Sequence, residues 1–254
     1  MKLPTISSGA MRVLALETSG REGSIALLKG LAKGTHQLVD QVELADGQRT
    51  AESLLPAIGT LLDQAQWPPR SIQLVSVATG PGSFTGLRIG VTTAKTFAFA
   101  TGAKLVGIHT LATLARAAQS SPDQSQPDHS LSNPQSDSGR LWAILNAQRQ
   151  ELFVAQFEQG CTDLQNPLTQ IVSISTWLSQ LQPGDTVVGP PMEKLSSQLP
   201  QGVKVLAKNL WRPNAIAVGQ LGIELALNSH QVQPMQLVPQ YYRQSAAEEN
   251  RASH

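Results

Sequence analysis

Residues 72–101 run IQLVSVAT, then GPGSFTG, then LRIGVTTAKTFAFAT. Ile72–Thr79 is a near-continuous apolar run, as expected of a strand covered on both faces. Gly80–Gly86 is a glycine loop, and Leu87–Thr101 predicts a helix ended by Gly102. A strand, a glycine turn and a helix in immediate succession make a crossover unit, so the chain is α/β rather than all-α or all-β.

Outward from this unit, Arg12–Glu17, Ser24–Lys29 and His36–Glu43 are three short strand candidates joined by short turns, an antiparallel meander. In Ala51–Gln66 the apolar residues Leu54, Leu55, Ile58, Leu61, Leu62 and Ala65 fall at helical spacing, and Trp67-Pro68-Pro69 ends the helix. Leu105–Ile108 is one more strand. Three strands, helix, strand, helix, strand is the order of a ribonuclease H-like α/β unit. After helix 110–118, Gln119–Gly139 is mostly Ser, Gln, Pro and Asp, a composition that predicts a disordered insertion. A second unit resumes with strands at Leu141–Asn146 and Glu151–Phe157, helices near 174–181 and 192–198, and a strand at Thr186–Val188. Pro213 opens a last helix, Asn214–Leu227, whose Ala215, Gly219, Gly222 and Ala226 form a smooth stripe for close packing.

The expected division is a flexible extension 1–10 (or a start at Met11), a lobe 11–109, a lobe 110–212 with the insertion 119–139, a segment 213–243 packing back on the first lobe, and a tail 244–254. At 254 residues the chain holds one large or two modest domains. Its 19 basic and 18 acidic side chains leave +1, which argues against holding nucleic acid by bulk charge. Cys161 is the one cysteine. It permits neither an internal disulfide nor a thiolate cluster, fits a reducing, cytoplasmic setting, and reads as a buried, inert thiol. No apolar run approaches the roughly 18 residues of a membrane span.

Two segments have the residue types of a ligand site. In Gly80–Gly86, the glycines Gly80, Gly82 and Gly86 with Ser83, Thr85 and Arg88 would expose amides at a helix start, an anion site. The spacing is G-x-G-x-x-x-G with no acid before Asp123, so it is no dinucleotide fingerprint, and Leu87-Arg88 in place of Lys-Ser/Thr excludes a P-loop. A tight turn whose glycines only permit close packing is the alternative. The second segment, Glu17-Thr18-Ser19-Gly20, resembles the first phosphate loop of the actin/Hsp70/sugar-kinase ATPases, with Glu where those carry Asp. His36, His109, His129, His230 and His254 form no H-x-x-x-H pair, so no bound metal is expected and a metallopeptidase is the weakest reading. Helices 51–66 and 87–101 are apolar nearly all round. That fits either burial in their own core or a second apolar face for another subunit.

Arg12-Val-Leu-Ala-Leu-Glu-Thr-Ser19, Glu52-Ser-Leu-Leu-Pro56, Gly80-Pro-Gly-Ser-Phe-Thr-Gly-Leu-Arg-Ile-Gly-Val91 and Pro239-x-Tyr-x-Arg243 together resemble the TsaB (YeaZ) family, a bacterial subunit of the machinery that makes N6-threonylcarbamoyladenosine at position 37 of tRNAs. The resemblance implies two ribonuclease H-like lobes of the actin-like ATPase (ASKHA) superfamily. It implies a non-catalytic scaffold that binds and activates the catalytic paralogue TsaD, with the small ATPase TsaE joining the pair and this chain meeting tRNA through the complex. ATP/ADP and a metal are then expected on partner subunits, with none tightly bound by this chain. Pairing through the two front-lobe helices points to Leu54, Leu55, Ile58, Leu62, Leu87, Val91, Lys95 and Ala98 as the interface, and a homodimer is expected when the partner is absent. A charge at Leu55 or Val91 is then expected to abolish pairing without unfolding the chain.

Two departures stand out. Thr50-Ala51-Glu52 replaces His-Ser-Glu, and Asn146-Ala-Gln-Arg-Gln-Glu151 replaces Asp-Ala-Arg-Arg-x-Glu. Both remove ionisable groups and weaken any intrinsic catalysis. The competing reading is a nucleotide-dependent transferase that works alone through Glu17, Thr18 and the glycine loop.

Overall fold

The computed structural model describes residues 10–31, 35–44, 50–120, 139–158, 161, 164–228 and 230–243. Most of the expected insertion, the first nine residues and the tail from 244 lie outside the described residues. The chain forms two compact units.

Unit 1 takes residues up to Thr79, then Ser83–Ile108 and Asn214–Pro239. Strands β1 (Met11–Glu17), β2 (Ser24–Gly30) and β3 (His36–Glu43) form the antiparallel meander. Strand β4 (Leu74–Gly80) adds to β1 in parallel, with Val13 opposite Leu74, and β5 (Lys104–His109) completes the order β3-β2-β1-β4-β5. Helices α1 (Thr50–Gln64) and α2 (Phe84–Thr101) provide the crossovers.

Side chains alternate across a strand, and β1 shows both outcomes. Leu14 and Leu16 join Ile25, Leu27, Val75 and Val77 in a core with Leu54, Ile58, Leu61, Leu62, Val91, Ala94 and Ala98 of α1 and α2. The opposite parity, with Ala15 and Ser76, meets the last helix of the unit, Ala215–Leu227. That helix presents the small-residue stripe to the sheet. A Cβ at Gly219 would lie 2.3 Å from Leu28, and one at Gly222 would lie 1.9 Å from Ser76 Oγ. Its Asn214 caps Ala217 N at 2.9 Å. Beyond the helix, Val232 N donates to Leu105 O at 3.0 Å, so residues 230–239 cover the β5 edge.

Unit 2 holds Gly80–Gly82, His109–Pro213 and the segment from Gln240. Helix α3 (Thr110–Gln119) precedes β6 (Arg140–Gln148), β7 (Glu151–Glu158) and β8 (Thr169–Ser173). Then come α4 (Ile174–Gln180), β9 (Thr186–Val188), α5 (Met192–Leu195) and β10 (Lys204–Val205). The chain-final helix of unit 1 is α6. The sheet order is β10-β9-β6-β7-β8, with β6, β7 and β8 antiparallel and β6, β9 and β10 parallel. Trp142, Ile144, Val154, Trp177, Val187 and Met192 fill its core.

Several boundaries differ from expectation. α2 starts at Phe84, three residues early, because Ser83 caps it. The helix expected over 192–198 is α5 followed by a 3-10 turn at Ser196–Gln198. Cys161 is half-buried rather than buried, and its carbonyl accepts from Gln119 Nε2 at 2.6 Å. The final Gln240–Arg243 goes with unit 2, not with the first lobe. Tyr242 Oη lies 2.9 Å from His109 Nε2, Arg243 Nη1 donates to Ala147 O at 2.6 Å, and Arg243 pairs with Glu151.

Unit 2 is stapled by Asp185. Its Oδ1 accepts from Arg140 Nε at 3.0 Å, and its Oδ2 accepts from Arg140 Nη2 at 2.7 Å, Trp142 Nε1 at 3.0 Å and Gln182 N at 2.9 Å. Burial pushes its carboxyl up, but these donors outweigh it and hold it down at about 2. A depressed carboxyl contributes stability that is full above the unfolded value of about 4 and is lost as pH falls toward 2. Asp185→Ala is therefore expected to cost about 3 kcal/mol at neutral pH. Urea denaturation followed by tryptophan fluorescence should show the gap from wild type closing as pH drops toward about 2.

Candidate functional site

Of the residues expected to form a phosphate loop, Thr18, Ser19, Ser83 and Gly86 meet within unit 1, where the β1–β2 turn crosses the start of α2, while Gly80 and Gly82 belong to unit 2. Thr18 Oγ1 donates to Gly86 O at 2.8 Å, and Ser83 N donates to Ser19 O at 2.7 Å. Ser83 Oγ accepts from Gly86 N at 3.2 Å, the N-cap of α2. Ser19 N donates to Glu17 Oε1 at 2.5 Å. The reason for two glycines one turn apart is steric: a Cβ at Gly86 would stand 2.0 Å from Thr18 O, and one at Gly90 would stand 2.1 Å from Thr18 Oγ1. Gly80 and Gly82 both carry positive φ (132° and 157°), which favours glycine. Thr85 and Arg88 face outward, with the Arg88 guanidinium 4.1 Å above the Phe84 ring.

Glu17 is sealed at 1% exposure, Thr18 and Ser19 are buried too, and Glu17 Oε2 and Ser19 Oγ lack a hydrogen bond of good geometry. Burial pushes the Glu17 carboxyl up to about 7, offset only in part by the Ser19 side chain and amide and the Gly20 amide. One sealed carboxyl, favouring its neutral form and spending Oε1 on an amide, is a poor ligand for a divalent cation. The amides of Ser19, Ser83 and Gly86 are engaged within the turn. The residues present therefore do not fit the metal–nucleotide cradle that the superfamily implies. Among the described residues, no three His, Cys, Asp or Glu cluster as a metal group, and no helix is long and apolar enough to cross a membrane.

The helix positions expected at a partner interface divide sharply. Leu54, Ile58, Leu62, Leu87, Val91 and Ala98 are 1–2% exposed, with all but Leu87 in the unit 1 core cluster. These six belong to the core and not to an interface, because their stripe is the one that the sheet covers. A charge at Val91 is accordingly expected to unfold unit 1, not to spare it. Lys95 is half-buried and donates from Nζ to Leu237 O at 3.0 Å, a structural clasp. Leu55 alone of the eight faces out, at 61% exposure. Phe99 of α2, 80% exposed, was missed. It falls off the Leu87–Val91–Ala94–Ala98 stripe, and once that stripe is known to meet the sheet Phe99 points to the other side. The outer surface of the contacting α1–α2 pair thus carries Glu52, Leu55, Pro56 and Thr60 of α1 with Arg88, Thr92, Thr96 and Phe99 of α2.

The family model described as "TsaD: tRNA N6-adenosine threonylcarbamoyltransferase" matches residues 45–185, more than half of the chain. The chain is 28% identical over 180 residues to the tRNA threonylcarbamoyladenosine biosynthesis protein TsaB of Bacillus subtilis, covering 70% of this chain and 69% of that protein. The chain belongs to this family, in its TsaB (YeaZ) branch. The TsaB of Escherichia coli is 32% identical over 42% of this chain and 44% of its own length. The solved structure of YeaZ from Pseudomonas aeruginosa superposes with a TM-score of 0.67 at 21% identity, covering 91% of this chain and 99% of that one. The fold is the expected one: α/β, two ribonuclease H-like lobes of the actin-like ATPase superfamily.

Within this TsaB-type chain, two glycine substitutions should part. Gly86→Ala must displace the Thr18 backbone and should cost about 1–3 kcal/mol. Gly59→Ala, on the exposed side of α1 with nothing within 4 Å of a new Cβ, should add roughly 0.5–1 kcal/mol. Thermal denaturation of the two variants checks the opposite signs.

Proposed function

We propose that this chain is a non-catalytic subunit of the machinery that makes N6-threonylcarbamoyladenosine at position 37 of tRNA, and that it binds and activates a catalytic TsaD paralogue. Similarity to the TsaB proteins supports the process. One structural observation carries the role: α1 and α2 have inner faces saturated by their own sheet, yet they expose Leu55 and Phe99 to solvent. Large apolar side chains held outward on a rigid helix pair are anchors for a partner's helices. The engaged Thr18–Gly86 turn supports the absence of chemistry in this chain, so nucleotide and metal are assigned to partner subunits. TsaE and tRNA join through the complex, in the cytoplasm, and a homodimer forms on the same helix face when the paralogue is absent.

A lone nucleotide-dependent transferase is the competing reading, and binding of ATP with Mg²⁺ by the isolated chain in calorimetry would favour it. Mixing the chain with its TsaD paralogue on a sizing column should give one co-eluting peak. Leu55→Asp and Phe99→Asp should each retain the wild-type melting temperature yet weaken pairing by about 2 kcal/mol, roughly 30-fold in Kd. Leu54→Asp should lose the fold instead. Two separate wild-type peaks at micromolar concentration would overturn the proposal.

A further inference from the structure

Glu17 and Ser19 leave two buried polar atoms in one turn, the carboxyl Oε2 and the hydroxyl Oγ, each without a hydrogen bond of good geometry. Such orphans are costly unless they serve each other. A carboxylate and a hydroxyl can pair in one way only, with the hydroxyl donating, and that leaves a charge sealed from water. A carboxylic acid avoids that charge: Oε1 accepts from Ser19 N, as observed at 2.5 Å, and the proton sits on Oε2.

The same turn is what holds α2. Ser19 O takes the amide of Ser83, and Thr18 lies jammed against Gly86 and Gly90. Around the carboxyl, β2 offers Ser24 opposite Glu17, whose Oγ accepts from Ala215 N at 2.9 Å and which is not among the donors to Glu17. α2 offers only glycine backbone at the crossing, and Leu44 closes the far side of Gly23. The charged groups on the turn and on the elements packed around it include Arg21 and Glu22 of the turn, Lys29 of β2, Glu43 of β3, Arg88 and Lys95 of α2 and Glu224 of α6, and none of them is a cause of the shift of Glu17. Its ionisation answers to burial and to the Ser19 and Gly20 donors alone.

We propose that Glu17 is a proton-operated latch: as a neutral acid it closes the β1–β2 turn on the first turns of α2, and release of its proton to solvent loosens that closure. Neutral Glu17 leaves no charge in the sealed turn. Ionised Glu17 strands one that the Ser19 side chain and the Ser19 and Gly20 amides offset only in part, and opening the turn to water relieves it. The sign follows from the raised carboxyl. The open, hydrated turn ionises at the ordinary value near 4.5, the closed turn only at about 7. The opening constant therefore climbs as pH rises between those values and levels off above them. The firmness of the segment that leads into the outward face of α2 thus depends on acidity.

Amide hydrogen exchange of the full chain tests this, read on residues 17–20 and 83–90 and corrected for intrinsic rates. In wild type the opening constant should rise by up to about tenfold per pH unit between about 5 and 7 and stay level above about 7.5, while Glu17→Gln should be flat across the range. The β6–β7 hairpin of unit 2 should be unresponsive in both. Equal pH dependence in wild type and Glu17→Gln would overturn the proposal. Should that variant fail to fold, carbon-13 NMR of the wild-type Glu17 carboxyl decides: a midpoint near 7 supports the latch, and one in the ordinary range of about 4–5 refutes it.

Discussion

The tight crossing of the β1–β2 turn over α2 governs unit 1. Thr18 enters the space that side chains at positions 86 and 90 would fill, and its hydroxyl caps the approach by bonding Gly86 O. With the helix pulled this close to the sheet, Leu87, Val91, Ala94 and Ala98 have nowhere to point but inward. Gly86 and Gly90 thus serve packing, and the amides of Ser19, Ser83 and Gly86 with the hydroxyls of Thr18 and Ser83 are occupied in making the crossing. What the crossing leaves available on α1 and α2 is their outward side.

Unit 2 repeats the sheet order of unit 1 element for element, since β6, β7, β8, β9 and β10 take the places of β1 to β5. It even repeats the close approach after the fourth strand: a Cβ at Gly189 would lie 2.0 Å from Ile144 O. There Pro190-Pro191 leads into the four-residue α5, where unit 1 has the eighteen-residue α2. Among the described residues, the eighteen-residue helix that presents Phe99 outward belongs to unit 1. Unit 2 spends its polar groups on internal ties, Asp185 with Arg140 and Trp142 at one end and Arg243 with Glu151 at the hairpin. Glu151, which the family pattern retains, is therefore a structural partner in this chain.

Much of this was legible in the residues. Continuous apolar runs named β1, β2, β4, β6, β7 and β9, because strands covered on both faces need little pattern beyond hydrophobicity. β8 and β10 were not legible. The first mixes Thr169 and Gln170 into a half-buried edge, and the second is two residues long. Helix faces were the main failure. α1 and α2 are apolar nearly all round, so periodicity cannot say which stripe meets the sheet. Only the register of Thr18 against Gly86 and Gly90 sorts Val91 inward and Phe99 outward. The capture of Gln240–Arg243 by unit 2 depends on His109 and Glu151, far away in the chain, and no local pattern announces it.

The central claim is that Leu55 and Phe99 are outward anchors covered by a catalytic paralogue. Hydroxyl-radical footprinting reads side-chain exposure at those two residues directly. The account predicts heavy modification of both in the dilute free chain and strong protection on mixing with the paralogue, while Leu168 of unit 2, also exposed, stays equally reactive. Unchanged modification of Leu55 and Phe99 in the mixture would contradict it.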